Sequence, residues 1–294
     1  MNPRLLIIDG HAYAYRAFHA IRHLTSPTGV PTNAIYGFIK MLEKMRATLA
    51  PTHLLVVWDG GLAAERTAAL PEYKIQRPAM PPDLDQQIVA LYRYLEAAGI
   101  ASYCEDGVEA DDWIAAMARQ ASAATLPVVI ASSDKDFMQL VRSGGVGLLN
   151  PNDKTERIWS VEDVQAKTGV TPEQIVDWLS LIGDHVDNIP GVPGVGPKTA
   201  ADLLQQFGSI DSLYTRLTEV KSDKLRASLQ TAAPVVQRNK QLIRLKDEFA
   251  DLWPLEKTLL QLPQTEQLRA MYAEWGFKTL LAQLSLPPTQ AELL

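Results

Sequence analysis

Cysteine, histidine and long hydrophobic runs are all scarce in this sequence. The only cysteine among the 294 residues is Cys104, which excludes an intramolecular disulfide and a zinc site built on cysteines. The five histidines are scattered along the chain. No apolar run reaches the roughly 18 residues of a membrane span, and the amino-terminal stretch has no signal-peptide pattern. These absences predict a protein of the reducing cytoplasm.

The sequence also lacks an excess of basic residues. Its 34 acidic residues outnumber the 28 lysines and arginines, which gives a formal net charge of −6. Because nucleic-acid-binding proteins usually have a basic surface, the total charge argues weakly against such a partner. An acidic total still allows basic patches if the acids are gathered elsewhere, so their distribution along the chain has to be considered.

The first half of the chain alternates strand-like and helix-like patterns. Residues 83–99 show an apolar stripe at helical spacing, with Gly99 where a helix C′ residue belongs. The stripe consists of Ile88, Leu91, Tyr92 and Leu95. Strand-like runs occupy residues 4–10, 52–60, 127–136 and 146–150. This alternation predicts an α/β fold with a mostly parallel sheet flanked by helices.

From about residue 160 the pattern becomes purely helical. Ser160 with Asp163, and Thr171 with Gln174, form two capping-box signatures in succession. We therefore expect a domain boundary near residue 165 and an all-helical part after it. The carboxyl-terminal stretch LPPTQAELL is expected to be a poorly ordered end.

Acidic residues follow the predicted strands. Asp9 ends the first strand, Asp59 ends the second, and Asp134 and Asp136 end the third. Since ligands of parallel sheets bind beyond the carboxyl ends of the strands, we expect these four acids to share one crevice. Five further acids open or follow helices: Glu109, Asp111, Asp112, Asp184 and Asp187.

Each acidic group taken alone has an ordinary explanation as a solvated loop, a helix dipole partner or a polar turn. Nine carboxylates in one crevice, however, need cations, and few lysines or arginines stand beside them in the sequence. Hard divalent ions such as Mg²⁺ or Mn²⁺ suit carboxylate ligands, and the absence of a Cys or His cluster argues against zinc.

The run GVPGVGPKT is similar to a phosphate-binding P-loop, but Pro197 separates Gly196 from Lys198 and excludes that motif. A phosphatase of the haloacid-dehalogenase type would need Asp at the position of His11. We interpret the run instead as a hairpin between two helices. Gly194 and Gly196 leave backbone N–H groups open toward a phosphate; a turn without a ligand is the alternative.

A basic segment with an aromatic residue lies between the second strand and the long helix. Arg66, Lys74 and Arg77, with Tyr73 among them, suit a single strand or a frayed end of nucleic acid. On its own the segment also fits a solvated loop.

Five stretches together carry a specific resemblance: IIDGHAYAYRAFHA, PEYKIQRPAMPPDL, GVEADDWIA, SSDKDFMQL and GDHVDNIPGVPGVGPKTAADLL. The chain resembles, over residues 4–280, the 5′ nuclease domain of bacterial DNA polymerase I, within the wider group of flap endonucleases and phage 5′ to 3′ exonucleases. The resemblance implies a catalytic α/β domain, residues 1–165, with a helical arch at residues 60–100. It also implies a DNA-binding helical domain, residues 166–294, with a helix-hairpin-helix at residues 174–207.

The resemblance also implies the site. Two or more Mg²⁺ or Mn²⁺ ions are expected, roughly 4 Å apart in two-metal sites, with K⁺ as a further ion at the helix-hairpin-helix. The implied metal ligands are Asp9, Asp59, Glu109, Asp111, Asp112, Asp134, Asp136, Asp184 and Asp187. Lys74, Arg77, Asp9 and Asp134 are the implied catalytic groups. The implied DNA-binding residues are Tyr13, Arg16, Arg66, Tyr73, Lys74, Arg77, Gly194, Gly196, Lys198 and Thr199.

The implied activity is metal-dependent hydrolysis of phosphodiesters at DNA 5′ ends, nicks and flaps, including RNA/DNA primer junctions, by a monomer in the bacterial nucleoid. Two alternatives remain at this point, a ribonuclease of the PIN class and a DNA-binding module without catalysis. The sequence departs from the family in the arch. Glu65 stands where relatives have an aromatic residue, and Gly60 and Gly61 replace a small residue and Lys.

Overall fold

The computed structural model describes residues 3–284, so the predicted poorly ordered end, residues 286–294, lies outside the described residues. The strands are β1 (Leu5–Asp9), β2 (His53–Val57), β3 (Ala101–Tyr103), β4 (Val128–Ala131), β5 (Val146–Leu149), β6 (Ile158–Trp159), β7 (Gly183–Asp184) and β8 (Ile189–Pro190). The α-helices are α1 (Gly10–Ala20), α2 (Asn33–Leu49), α3 (Ala64–Ala69), α4 (Pro82–Ala97), α5 (Ala110–Ala123), α6 (Val161–Thr168), α7 (Ile175–Ile182), α8 (Pro197–Phe207), α9 (Ile210–Thr215), α10 (Asp223–Ile243), α11 (Thr265–Trp275) and α12 (Lys278–Gln283). Short 3₁₀ helices span Lys135–Leu140, Pro172–Gln174, Leu217–Glu219 and Leu255–Thr258.

The chain divides into two units. The first consists of Met1–Trp58, Met80–Tyr103 and Pro254–Leu294, and the second of Asp59–Ala79 and Cys104–Trp253. Within the first unit, β1 pairs in parallel with β2, and β2 with β3. The apolar residues of β1 and β2 are buried, as expected for strands covered on both faces.

Helix α4 of the first unit confirms the predicted apolar stripe with one exception. Leu91 and Leu95 are fully buried, whereas Tyr92 is only half-buried and Tyr94, three residues after Leu91, takes its place in the core. Gly99 has a φ of 68°, the left-handed conformation expected of a C′ residue.

The second unit contains the strands β4 to β8 and the helical part. Strand β4 pairs in parallel with β5, and β6 runs antiparallel to β5. The two capping boxes predicted at Ser160 and Thr171 are both present. Helices α7 and α8, with the antiparallel β7–β8 hairpin between them, occupy the segment predicted as a helix-hairpin-helix. The α/β fold class with a mostly parallel sheet is therefore confirmed.

The predicted strands were right in position but too long. Strands β2 and β4 end at Val57 and Ala131, so Asp59, Asp134 and Asp136 lie in the segments beyond them. Strands β3 and β6 were missed because two or three residues are too few for a recognisable pattern.

No helix among the described residues is long and apolar enough to span a membrane.

Candidate active site

Three aspartates of the second unit converge on one point. Asp136 lies in the first turn of the 3₁₀ helix after β4, and Asp184 and Asp187 lie in and after β7. One carboxylate oxygen from each lies within 4.8 Å of the other two. Oδ1 of Asp136 is buried and has no hydrogen-bond partner among the described residues. An all-carboxylate donor set with an unsatisfied buried oxygen fits a hard divalent ion.

Asp134 shapes this cluster from beside it. Its Oδ1 accepts the backbone N–H of Asp136 at 2.8 Å and so caps the 3₁₀ helix. Burial, with the nearby charges of Asp187 and Asp184, raises the pKa of Asp134. Burial and the charge of Asp134 raise the pKa of Asp136 well above its usual value. Desolvation and nearby carboxylates both disfavour the charged form of an aspartate, which explains both directions.

We expect Asp136→Asn to stabilise the metal-free protein increasingly as the pH rises. Because the pKa of Asp136 is raised on folding, its contribution to stability is fully present below the pKa of the unfolded chain and is lost as the pH rises through the folded value. Asparagine carries no charge and escapes this loss. Thermal unfolding is measured in chelator from about pH 4 to 8. The Tm of Asp136→Asn should rise above that of the wild type by an increasing amount, about 2–4 °C for each kcal/mol of difference in unfolding free energy.

Divalent ions provide the second measurement on this variant. Mg²⁺ or Mn²⁺ should raise the Tm of the wild type more than that of Asp136→Asn, because a ligand that binds only the folded state stabilises it. Asp251→Asn, a change at an exposed aspartate, serves as the control. Equal responses of wild type and Asp136→Asn to the ion would contradict the assignment.

Glu109 at the start of α5 connects the acids to a group of cations. Its buried carboxylate accepts hydrogen bonds from Lys74 Nζ at 2.5 Å, Tyr73 Oη at 3.1 Å and the Ala63 N–H at 3.1 Å. Burial alone would raise the pKa of Glu109, but the charges of Lys74 and Arg66 outweigh it and the pKa is lowered. Glu109 is therefore an ionised anchor for Lys74.

Lys74 and Arg77 both contact Asp187. The backbone N–H of Lys74 donates to the Asp187 carbonyl at 3.0 Å, and Arg77 Nη2 donates to Asp187 Oδ1 at 2.7 Å. Burial lowers the pKa of each cation, but facing carboxylates, Asp111 foremost for Lys74 and Asp187 for Arg77, outweigh it and raise the pKa. Both side chains are thus positively charged at neutral pH, beside the aspartate cluster.

Arg66 and Asp112 form a buried pair. Arg66 Nη1 and Nη2 donate to the two carboxylate oxygens of Asp112 at 2.8 and 2.7 Å, and Arg66 Nε donates to the Leu242 carbonyl at 3.0 Å. Asp112 Oδ1 also accepts the Lys246 N–H at 2.9 Å. The pair thus joins α3 and α5 to the end of α10, and both side chains are almost fully buried.

The expectation that too few cations stand beside the acids was wrong. Ion pairs join Lys74 to Glu109, Arg66 to Asp112, Arg77 to Asp187 and Lys135 to Asp184. All four cations lie 35 to 110 residues from their partners in sequence, so adjacency along the chain could not find them. The metal hypothesis therefore depends on the unsatisfied Asp136 rather than on the total number of acids.

The remaining predicted ligands occupy three different places. Asp9 ends β1 in the first unit and caps α1, with Oδ1 accepting the Ala12 N–H at 3.0 Å. Asp59 follows β2 and is half-buried. Asp111 lies in the first turn of α5, and its charge contributes to the raised pKa of Asp136. Metal ligation by these three stays a prediction.

Four residues predicted to bind DNA are buried, and one of them is Lys74, which is bonded to Glu109 and Asp187. Tyr13, Arg66 and Tyr73 are only 3–4% exposed, because they pack in the protein interior and, for Arg66 and Tyr73, bond to carboxylates. Burial argues against direct contact of these side chains with DNA, and that role stays a prediction without support. Arg16 is exposed, as the prediction requires.

The predicted phosphate-binding turn is open to solvent. Gly194 has a φ of 83°, and Gly196 is the N-cap of α8 with Pro197 at its first position. Within residues 3–284, and apart from the adjoining residues, no atom lies within 4 Å of a Cβ built on either glycine. Lys198 is exposed and Thr199 half-buried. The turn thus leaves room for a ligand at the start of α8.

The structure gives a local reason for two departures in the arch. A Cβ on Gly60 would lie 1.7 Å from the Glu105 carbonyl oxygen, so only glycine fits this close approach. Glu65 of α3 forms an ion pair with Lys246, which follows α10.

Sequence reasoning missed two residues of this region, Gln76 and Asn188, whose side chains bond to each other at 2.9 Å. The Asp187–Asn188 pair in a polar turn was the available signal.

Comparison with known proteins decides the family. The model of the 5′-3′ exonuclease N-terminal resolvase-like domain matches residues 4–169, and that of the 5′-3′ exonuclease C-terminal SAM fold matches residues 170–267. The chain belongs to the 5′-3′ exonuclease family. It is 35% identical over 280 residues to a 5′-3′ exonuclease of Aquifex aeolicus, which covers 95% of this chain and 94% of the relative.

Several bacterial DNA polymerase I proteins are also similar to this chain. The chain is 40% identical over 293 residues to DNA polymerase I of Pseudomonas aeruginosa, covering 95% of this chain and 31% of that protein. With DNA polymerase I of Bacillus subtilis it shares 37% identity over 296 residues, 99% of this chain and 33% of the polymerase. The chain therefore spans about a third of the length of these polymerases.

Solved structures share the fold of this family member. The bacteriophage T5 D15 protein, co-crystallised with metal ions, superposes with a TM-score of 0.66 at 21% identity, covering 96% of this chain and all of that one. The catalytic core of Rad2 in complex with DNA substrate gives a TM-score of 0.63 at 17% identity, covering 96% and 93%. At these identities the likeness concerns the fold alone.

Proposed function

We propose that this chain is a divalent-metal-dependent, structure-specific 5′ nuclease that hydrolyses phosphodiesters at DNA 5′ ends and flaps. The observation that supports this most directly is the position of Asp187. Its carboxylate belongs to the aspartate cluster with the unsatisfied Asp136, while its backbone and side chain contact Lys74 and Arg77. One residue thus joins a candidate metal site to two cations suited to a phosphate.

The carboxylates of Asp136, Asp184 and Asp187 would hold the metal. A divalent ion bound there supplies neutralisation of the scissile phosphate and a lowered pKa for the attacking water. Lys74 and Arg77 would stabilise the negative charge that develops on the phosphate oxygens. Asp134 keeps Asp136 in place by capping the 3₁₀ helix that carries it. Magnesium as the ion, and the number of ions, are part of the proposal.

The substrate proposal draws on the relatives. The T5 D15 protein is described as a flap endonuclease in complex with DNA and metal ions, and Rad2 is described in complex with DNA substrate. The polymerase relatives support a role in removing primers and displaced flaps during replication and repair. Action as a monomer in the bacterial cytoplasm, at the nucleoid, belongs to the same proposal.

The test is cleavage of a DNA duplex with a labelled 5′ flap, in magnesium and in chelator. Short 5′ products in magnesium and none in chelator are expected. Preferential cleavage of single-stranded RNA would favour a PIN-class ribonuclease instead. Tight DNA binding without cleavage under any metal condition would favour a non-catalytic module.

We expect the turn before α8 to bind duplex DNA away from the cut. Gly196→Val should weaken binding to long duplexes more than to short ones, because the added side chain would block a phosphate from the backbone N–H groups. In the described part of the chain a Cβ at Gly196 meets no atom within 4 Å beyond the adjoining residues, so the fold should survive. Binding is measured by anisotropy on duplexes of increasing length.

A second glycine serves as the control for this variant. Gly145→Val places the same side chain outside the predicted helix-hairpin-helix, where a Cβ makes an ordinary contact of 3.7 Å with Ser122 Oγ. It should leave the length dependence of binding as in the wild type. A loss of affinity in Gly196→Val that does not depend on duplex length would disprove the proposed role.

A further inference from the structure

Two segments that carry site residues are bonded to each other. We call residues 72–77 the arch-base segment and residues 184–188 the aspartate turn. The Lys74 N–H donates to the Asp187 carbonyl at 3.0 Å, and Arg77 Nη2 donates to Asp187 Oδ1 at 2.7 Å. These bonds set where the two cations lie relative to the aspartate cluster.

Asn188 adds a side-chain amide that ties both ends of the arch-base segment to the turn. Its Nδ2 donates to the Glu72 carbonyl at 2.9 Å, and its Oδ1 accepts from Gln76 Nε2 at 2.9 Å. A side-chain amide carries both the donor and the acceptor that these two bonds use. Lys74 lies between the two points of attachment, so its backbone is held on both sides.

Both Lys74 and Asn188 have a left-handed backbone conformation. Lys74 has a φ of 56° and Asn188 a φ of 57°, both in the left-handed region. Asparagine adopts this region readily, but a residue such as lysine does so at a cost on the order of 1 kcal/mol. The contacts around Lys74 must offset that cost. The hydrogen bonds of Asn188 to Glu72 and Gln76 are among these contacts.

We propose that Asn188 is a positioning residue that holds Lys74, and with it Arg77, against the metal-binding turn. Asn188 itself need not touch the substrate. The inference rests on the proposed function, because it assigns Asn188 to the placement of the cations that act on the phosphate. It predicts that loss of the amide weakens the contribution of Lys74 rather than the fold.

The surroundings of Asn188 favour a positioning role over a core role. Its side chain is half-buried, and its bonds to Glu72 and Gln76 lie at the surface. A surface cavity of about 430 Å³ borders Asn188 and is also lined by Glu72 and His185. Water can therefore reach the groups that lose a partner when the amide is removed, so unfolding is not the expected outcome.

The first test is a double-mutant cycle on single-turnover cleavage. Asn188→Gly keeps the left-handed backbone accessible and removes only the amide. It should slow cleavage about 10-fold. Lys74→Ala should slow cleavage about 100-fold in the wild type, but only about 10-fold when it is added to Asn188→Gly. Full additivity of the two changes would overturn the proposal. Gln205→Ala, which removes an exposed amide bond to the Gly169 carbonyl, is the matched control and should be additive.

The second test does not depend on activity. Amide hydrogen exchange of the peptide covering residues 72–78 reports whether the Lys74 N–H stays bonded to Asp187. In Asn188→Gly this exchange should accelerate at least about 10-fold while that of the sheet is unchanged. An unchanged rate of amide hydrogen exchange in Asn188→Gly would overturn the proposal, independently of any cleavage activity. Faster exchange in a protein that cleaves no DNA would support the positioning and disprove the proposed function.

Discussion

Replacing both Asp184 and Asp187 by asparagine is expected to reduce flap cleavage by orders of magnitude at ordinary magnesium concentrations. The double variant removes two of the three carboxylates of the cluster and keeps only Asp136, while the shape of the side chains is almost unchanged. Asparagine still offers an acceptor to the Val186 N–H, which bonds to Asp184 Oδ1 at 3.0 Å. The Asp187 carbonyl that accepts the Lys74 N–H is also retained. The loss would therefore come from the ion and from the ion pairs of Asp187 with Arg77 and of Asp184 with Lys135.

The measurement is single-turnover cleavage across a magnesium titration, together with DNA binding in chelator. Binding should survive or tighten, because less negative charge opposes the phosphates. Asp223→Asn with Asp251→Asn removes the same charge from two exposed positions and should cleave as the wild type does. Wild-type cleavage by the Asp184 and Asp187 variant at low magnesium would return both acids to the role of turn residues.

Lys74→Ala is expected to slow single-turnover cleavage by about 100-fold or more while changing duplex affinity little. Lys74 is buried with its charge beside Glu109, and the facing carboxylates keep its pKa raised despite burial. On the proposed mechanism, a cation held in this way would act mainly on the charge that develops in the transition state. Removing it should therefore affect the rate of the chemical step more than the binding of DNA.

Truncation of Lys74 also leaves Glu109 without one of its partners, so stability has to be measured with the rate. Glu109 keeps Arg66, the Tyr73 hydroxyl and the Ala63 N–H, and we expect the variant to remain folded. Thermal unfolding checks this, and Lys221→Ala, at an exposed lysine, controls for the lost charge. Equal losses in affinity and rate would count against a role in the transition state.

The acidic positions could be found from the sequence because each follows a local pattern. The apolar run before Asp134 and Asp136 predicted a strand, and the structure places both acids just beyond β4. The helix of residues 175–182 likewise predicted a turn with Asp184 and Asp187 after it. These assignments depend on neighbours within a few residues, which periodicity and capping signals report well.

The partners of the acids could not be found in this way. Sequence spacing suggested that Arg66 faces DNA, whereas the structure buries it against Asp112, 46 residues away. It also suggested nine carboxylates without enough cations, whereas Lys74, Arg77 and Lys135 each reach one. Such pairs join segments far apart in the chain, so no local pattern encodes them.

The sequence by itself determined the fold class, the family resemblance and the acidic residues, since hydrophobic periodicity and short motifs are local properties. Tertiary structure decided which groups surround each of those acids. It neutralised Glu109 and Asp112 with buried cations, left Asp136 with a buried unsatisfied oxygen, and bonded Asn188 to the segment that carries Lys74. The cost of a buried charge depends on every group packed around it, and that environment exists only once distant segments have come together.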